Sequence, residues 1–195
     1  MEAAREARAF AFAPLETKRA GLRVSVGADG AFEGYASLFD IRDTCGDVVA
    51  PGAFASSLRR RGAANVKMLW QHRPEEPIGV WASIEEDARG LKVNGRLDRA
   101  VARAREALSL IRAGALDGLS IGFRTLRATE ERQGGRRLIE VDLVEISIVT
   151  FPALPQARIG APTPSQVADD FGRKLAQLRM REAALGFEAA LLRVR

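Results

Sequence analysis

The sequence has very few of the residues that form disulfides and metal sites. Its 195 residues include one cysteine, Cys45, and one histidine, His72. A single cysteine excludes an internal disulfide and fits a reducing compartment. Structural zinc sites take most of their four ligands from these two residue types, so we expect neither a metal nor a cofactor. Asp43 and Asp47 near Cys45 would raise the pKa of its thiol, which does not favour a cysteine nucleophile.

Long apolar runs are also missing. No run approaches the roughly 18–20 residues that a membrane-spanning helix needs, and residues 1–8 lack the apolar segment of a secretory signal. We therefore expect a cytoplasmic protein without a membrane partner. The net charge of +5 comes from 30 basic and 25 acidic residues. Because these charges are interspersed and no aromatic–basic platform accompanies them, the pattern favours a solvated surface over a nucleic-acid site.

The chain divides into three predicted parts. Residues 1–19 are rich in alanine, arginine and glutamate, which predicts a mobile or weakly helical leader. Residues 20–157 form the predicted domain, and a hydrophobic content of 47% across the chain is enough for a globular core. Residues 158–195 follow a proline-rich stretch and form a predicted tail, with a helix from Ser165 to about Arg193.

Hydrophobic periodicity predicts a β-rich domain. Alternation at period two and turn residues predict strands over 22–26, 31–36, 66–72, 78–85, 91–97, 119–128 and 137–151. Helices are expected over about 53–60 and 101–113, and Pro74 and Pro77 predict a loop after His72. Six or more strands with two inserted helices indicate an α+β fold with a β-barrel-like core and surrounding helices.

Three residues could supply the groups of an acyl-transfer site. His72 ends the apolar run 66–72, Ser120 lies within Gly118–Phe123, and Glu145 lies in the apolar end of the last strand. A histidine base, a serine hydroxyl and a carboxylate are the groups that a serine nucleophile requires. With no second histidine, a carboxylate must orient His72.

Each of these residues also has a simpler interpretation. His72, which shares a predicted strand face with Met68 and Trp70, could be a hydrogen-bonded core residue. Ser120 shares a strand face with two glycines, which would admit another backbone such as a bound peptide, but a serine at a tight sheet crossing would look the same. Glu145 would be a buried carboxylate, whose charge needs either His72 or an arginine as its partner.

Two residues of the last strand are the alternatives for these roles. Asp142 is the reserve candidate for the residue that orients His72, and the choice of Glu145 rests on strand parity. Ser147 is the alternative nucleophile, and it is closer to Glu145 in the sequence. It lies between Ile146 and Ile148 without glycines that could admit a substrate. The sequence leaves both alternatives open.

The sequences of five segments, and their order along the chain, resemble those of the prohead proteases of tailed bacteriophages of the HK97 type, which also occur in gene transfer agents. The segments are Gly34–Asp40, Asp47–Phe54, Leu69–His72, Gly118–Phe123 and Val144–Ala153. The resemblance covers roughly residues 34–157. It implies a β-barrel with surrounding helices, similar to the herpesvirus capsid-maturation protease fold.

The resemblance also implies an activity and partners. Such a protein is a serine endopeptidase inside the assembling procapsid, where it cleaves scaffold or the scaffold-like N-terminal region of the major capsid protein, and in some cases itself. His72 matches the histidine of that family and Ser120 its nucleophile. The herpesvirus enzymes have a second histidine in the third role, which this chain lacks, and Glu145 is the residue that we choose for it. Backbone N–H groups are the expected oxyanion donors, and the turn over residues 151–157 is their candidate location. The cleavage sequence and the homo-oligomeric state stay open.

Two other functions compete with this hypothesis. The first is a non-enzymatic capsid-assembly module with the same fold, which a serine-reactive fluorophosphonate probe would not label. The second is a basic nucleic-acid-binding domain, whose binding would weaken steeply with salt. The interspersed charges make the nucleic-acid function the weaker of the two.

Overall fold

The computed structural model describes residues 26–27, 29–131 and 134–160. The predicted leader, most of the strand over 22–26 and the C-terminal helix over 165–193 lie outside these residues. In chain order the described elements are β1 (Ala31–Leu38), β2 (Val48–Val49), α1 (Ala55–Arg61), a 3-10 turn (Ala63–Asn65), β3 (Lys67–Trp70), β4 (Arg73–Glu86), β5 (Gly90–Leu97), α2 (Ala102–Arg112), β6 (Gly118–Glu130) and β7 (Arg136–Val149).

The strands form one curled mixed sheet. Their order is β1-β5-β4-β3-β7-β2, and β6 pairs with β7 along almost its whole length. Strand β7 runs parallel to β2 and β3, whereas the other pairs are antiparallel. The α+β class and the barrel-like sheet expected from the sequence are confirmed.

A segment after β7 joins the two ends of this sheet. The Tyr35 N–H of β1 donates to the Arg158 carbonyl at 3.1 Å, and the Leu119 N–H of β6 donates to the Ala157 carbonyl at 2.9 Å. The chain therefore stays within the barrel wall to Gly160, whose N–H donates to the Glu33 carbonyl. This is three residues beyond the position at which the sequence analysis ended the domain.

The inner face of the sheet and both helices enclose the core. Its largest fully buried side chains are Phe54, Met68, Ile78, Leu91, Leu97, Ile111, Leu119, Leu138, Leu143, Ile146, Ile148 and Ile159. Helix α2 packs through Ala104, Ala107, Leu108 and Ile111, whose spacing of three and four residues places them on one face of the helix. No helix of the described residues is long and apolar enough to cross a membrane.

The loop predicted after His72 is wrong. Strand β4 begins at Arg73 and includes both Pro74 and Pro77. The pairing of β3 with β4 is irregular here, with register shifts on both sides of the Leu69–Pro77 pair. Because proline cannot donate a backbone hydrogen bond, it is tolerated in a strand where the ladder is interrupted in this way.

Candidate active site

His72 lies in a tight turn between β3 and β4 and not in a strand as predicted. Trp70 pairs with Arg73, so the turn contains two residues, Gln71 and His72. Both have left-handed backbone angles, with φ of 51° and 60°. Two-residue turns of this kind need positive φ at both positions and therefore favour asparagine and glycine. The turn removes the His72 side chain from the face that strand alternation would give it.

The imidazole of His72 is bonded to the Glu145 carboxylate. The two atoms, Nδ1 and Oε1, are 2.6 Å apart. The other carboxylate oxygen, Oε2, accepts a hydrogen bond of 2.8 Å from the Ser147 hydroxyl. That hydroxyl also accepts the backbone N–H of His72 at 3.0 Å. Within the described residues Glu145 thus has His72 and Ser147 as its partners and no arginine, and Ser147 joins the carboxylate to the turn.

The electrostatic environment favours a charged imidazole. The hydrogen bond to Glu145 raises the pKa of His72 above its ordinary value, and the carboxylate charge adds to this effect. Partial burial lowers the pKa and opposes the shift. The Glu145 side chain is 11% exposed and the His72 side chain 44% exposed, so the carboxylate is enclosed while the ring faces solvent on one side. This pair can hold and stabilise an imidazolium.

A β-bulge turns Glu145 away from the core. Gly122 is paired with Glu145, but the next residue of β6, Phe123, is paired with Leu143, so Val144 is the extra residue of β7. A bulge of this kind re-aims the side chains that follow it. Leu143 is fully buried in the core before the bulge, and Ile146 is fully buried after it. Glu145 therefore faces the outer side of the sheet, where the turn that carries His72 can reach it.

The two glycines beside Ser120 have different close neighbours. A Cβ atom on Gly122 would lie 2.7 Å from the carboxyl carbon of Glu145. One on Gly118 would lie 2.5 Å from the Val149 carbonyl oxygen and 2.8 Å from Pro152. The sequence pattern predicts that these glycines admit another backbone such as a bound peptide, whereas in the structure the protein's own atoms occupy the space. Gly122 makes room for the Glu145 carboxylate.

Ser120 lies on β6 directly opposite Ser147 of β7. Directly opposed Cβ atoms are roughly 4.5–5.5 Å apart, which places Ser120 next to the hydroxyl that holds Glu145 and His72. Within the described residues Ser120 makes no hydrogen bond to His72, whose Nε2 is not bonded. Such bonds commonly tighten only when substrate is present.

A narrow cleft runs past Ser120. Its walls are the end of β1, the loop before β2, the first half of β6 and the turn after β7, which contribute Ala36–Leu38, Ile41, Asp43, Asp47, Leu119–Ile121, Phe123, Ala153 and Leu154 among others. Ser120 itself is 7% exposed. The loop before β2 is fixed to the turn after β7, because the N–H and hydroxyl of Thr44 both donate to the Ala153 carbonyl.

The two alternative residues, Asp142 and Ser147, have other contacts in the structure than those of a residue that orients His72 or of a nucleophile. Asp142 accepts two hydrogen bonds from Arg61 of α1 at 2.9 and 3.0 Å, and the Arg61 bond lowers the pKa of its carboxyl. It therefore faces α1 and not His72. Ser147 is fully buried, and its hydroxyl is engaged by Glu145 and by the His72 backbone. This bridging position of Ser147 is not among the sequence predictions, although Ser147 shares a strand face with Glu145.

A histidine bonded to a buried carboxylate, with a serine on the neighbouring strand, is typical of serine hydrolases. A family model of the caudovirus prohead serine proteases matches residues 16–169 of the chain. The chain therefore belongs to the caudovirus prohead serine protease family, as its resemblance to these enzymes indicated.

Two individual phage proteins are similar to the chain in sequence. The chain is 37% identical to the prohead protease of Enterobacteria phage HK97 over 138 residues, which are 69% of this chain and 61% of that protein. It is 33% identical over 102 residues to a capsid polyprotein of Pseudomonas phage PAJU2, over 48% of this chain and 15% of the polyprotein. The chain thus spans about three fifths of the HK97 protein and a small part of the polyprotein.

Two solved structures are similar at low sequence identity. The protease of KSHV, in complex with a hexapeptide phosphonate inhibitor, aligns with a TM-score of 0.49 and 13% identity over 68% of this chain and 65% of that one. The varicella-zoster virus protease aligns with a TM-score of 0.41 and 14% identity over 67% and 62% of the two chains.

Proposed function

We propose that the protein is a serine endopeptidase of phage prohead maturation, with Ser120 as its nucleophile, His72 as its general base and Glu145 as the residue that orients His72. Family membership supports the reaction class. The observation that carries the residue assignment is the 2.6 Å bond between His72 and Glu145 beside the strand that bears Ser120.

In the proposed reaction the Ser120 hydroxyl attacks a peptide carbonyl. The Nε2 atom of His72 takes the hydroxyl proton and passes it to the leaving amine, and water then hydrolyses the acyl-enzyme by the same route. Glu145 accepts the Nδ1–H and stabilises the imidazolium that forms. Ser147 keeps the carboxylate in place through its hydrogen bond to Oε2.

The oxyanion of the tetrahedral intermediate needs preorganised donors. We assign them to backbone N–H groups in the turn over residues 151–157, which follows β7. Ala153 and Leu154 of this turn line the cleft that also contains Ser120, which supports the assignment.

The proposed substrate is scaffold or the N-terminal scaffold-like region of the major capsid protein, and the protein itself is a further candidate substrate. The relative named a capsid polyprotein supports a capsid protein as the partner. The proposed place of action is the inside of the assembling procapsid in the bacterial cytoplasm.

A fluorophosphonate probe tests the proposed nucleophile. The wild-type protein should be labelled at one serine, and Ser120→Ala should abolish the label. Ser147→Ala is the contrasting variant, because it removes the other candidate serine and leaves Ser120 in place. It should still be labelled at Ser120, but more slowly, since the hydrogen bond that holds the Glu145 carboxylate is lost. Label that persists in Ser120→Ala and disappears in Ser147→Ala would contradict the assignment.

Co-expression with the major capsid protein tests the substrate. Intact masses of both chains should show a shortened capsid protein with the wild-type enzyme and a full-length one with Ser120→Ala. Assembly with uncut capsid protein in both cases would instead indicate a non-enzymatic assembly module.

A further inference from the structure

We propose that Gln71 is a positioning residue for His72, acting through a clamp formed by the Gln71 and Thr150 side chains. This inference rests on the proposed function, since it concerns how the general base is held. The clamp joins the turn that carries His72 to the residue that follows β7.

Gln71 makes three hydrogen bonds to this part of the chain. Its side-chain Nε2 donates to the Thr150 hydroxyl at 2.8 Å, and its side-chain Oε1 accepts the Thr150 N–H at 3.3 Å. Its backbone N–H donates to the Ile148 carbonyl at 3.1 Å. Both ends of the amide are therefore used, and one glutamine fixes the turn to the strand that bears Glu145 and Ser147.

The conformation of the turn explains why such a clamp is needed. Gln71 and His72 are both left-handed, which residues with a Cβ atom adopt reluctantly. Strained backbone persists where the surrounding contacts over-determine it. The Gln71 side chain supplies its contact through the Thr150 clamp, and the His72 side chain supplies one through Glu145. The backbone N–H of His72 is held by the Ser147 hydroxyl.

The backbone of the turn determines where the imidazole lies. The ring is almost half exposed, and Glu145 is its hydrogen-bond partner among the described residues. A displacement of about 1 Å in a catalytic group can cost about 10²-fold in rate. Loosening the clamp should therefore weaken the His72–Glu145 bond even though Gln71 touches neither the imidazole nor the carboxylate.

The sole histidine makes this directly measurable. Because the chain has one histidine, its imidazole gives one isolated set of proton NMR signals, and the pKa of His72 can be titrated without assignment. The hydrogen bond to Glu145 raises this pKa, so a weaker bond lowers it towards the ordinary histidine value. A residue that only stabilised the hairpin would leave the pKa of the folded protein unchanged.

The test variants are Gln71→Ala, Thr150→Val and the double variant that combines these two substitutions. They are compared with Thr150→Ser, which keeps the hydroxyl. Asn65→Ala is the matched control, because it removes a side-chain hydrogen bond of 2.7 Å just before the other end of β3. The first-order inactivation rate constant with a fluorophosphonate probe, its apparent affinity and the pKa of His72 are measured for each.

We expect Gln71→Ala to lower the inactivation rate constant about 10- to 100-fold and to lower the pKa of His72, with the affinity for the probe unchanged. Thr150→Val should act in the same direction, and the double variant should be little worse than the stronger single variant because both remove one interaction. Thr150→Ser and Asn65→Ala should match the wild type.

The inference would be overturned if folded Gln71→Ala and Thr150→Val both kept the wild-type inactivation rate constant and the wild-type pKa of His72. Equal losses in Asn65→Ala would do the same. If the wild-type protein is not labelled at all, the proposed function fails, yet the titration still decides on the clamp: an unchanged pKa in Thr150→Val contradicts it. Thr150→Val also replaces Gln71→Ala should that variant not fold.

Discussion

Replacing Gly122 with alanine should disable the site while leaving the fold largely intact. The added Cβ would lie 2.7 Å from the carboxyl carbon of Glu145 and 2.8 Å from its Cγ. Optimal contacts between carbon atoms are about 3.5–4.0 Å, so the carboxylate has to move by about 1 Å. It cannot do so and keep both the 2.6 Å bond to His72 and the 2.8 Å bond to Ser147.

The size of the effect follows from that displacement. A misplacement of about 1 Å costs about 10²-fold in rate, which corresponds to about 2.7 kcal/mol of transition-state stabilisation. Overpacking of a protein interior costs about 1–3 kcal/mol of folding free energy. The lower end applies here, because the end of the Glu145 side chain can yield and the backbone around Gly122 has no positive φ to lose.

The assay measures three quantities on the same protein. The inactivation rate constant with a fluorophosphonate probe should fall about 10²-fold, and the pKa of His72 should decrease because the bond that raises it is lost. The free energy of unfolding of Gly122→Ala, measured in urea, should be lower than that of the wild type by about 1 kcal/mol.

Gly118→Ala is the contrasting variant on the same strand. Its Cβ would meet the Val149 carbonyl oxygen at 2.5 Å and Pro152 at 2.8 Å. A backbone oxygen and a proline ring cannot move aside as a carboxylate can, so this variant should chiefly lose stability. The reasoning fails if Gly122→Ala keeps the wild-type inactivation rate constant and pKa of His72.

Three further predictions concern charge. The rate of fluorophosphonate inactivation should rise with pH through the pKa of His72, with a midpoint above the ordinary value near 6.5, as a pH–rate profile would show. Glu145→Gln should lower that midpoint and the inactivation rate. Because Glu145 raises the pKa of His72 and so stabilises the protonated folded state, the loss of unfolding free energy in this variant should be largest below about pH 6.5 and vanish as the pH rises through the raised pKa of His72. A loss that does not depend on pH would contradict this. Asp142→Asn should reduce the free energy of unfolding at pH 7 without changing the inactivation rate, because Asp142 is bound to Arg61. This loss of stability should fade as the pH falls through the lowered pKa of Asp142. Slower inactivation would instead place Asp142 in the site.

The three candidate residues could be selected from their surroundings in the sequence. His72, Ser120 and Glu145 are polar residues in apolar segments, and such residues need a structural or chemical reason for their position. The sequence also predicts the order of the two helices and of the described strands except the two-residue β2, because alternation at period two and the apolar spacing of a helix both follow from burial. The structure brings these segments together through the pairing of β7 with both β3 and β6.

Strand parity alone would place the Glu145 side chain in the core. Strict alternation gives Glu145 the same face as Val141 and Leu143, yet both of those residues are fully buried in the core. The bulge at Val144 separates them from Glu145. No glycine or proline of β7 marks this bulge, and Gly122 opposite it lies on a strand whose pairing the sequence does not show, so alternation alone could not reveal it.

The turn at His72 and the bulge at Val144 together bring the imidazole and the Glu145 carboxylate into contact. Strand β3 runs parallel to β7, with Lys67 level with Glu145 and Trp70 level with Ile148. Had β3 continued as the predicted strand, His72 would lie level with Thr150, about 16 Å beyond Glu145 at the usual rise per residue. The left-handed turn reverses the chain instead and brings the imidazole to 2.6 Å from the carboxylate. An extended strand and a His72–Glu145 pair therefore exclude each other, and the strain of the turn is the condition on which the pair depends.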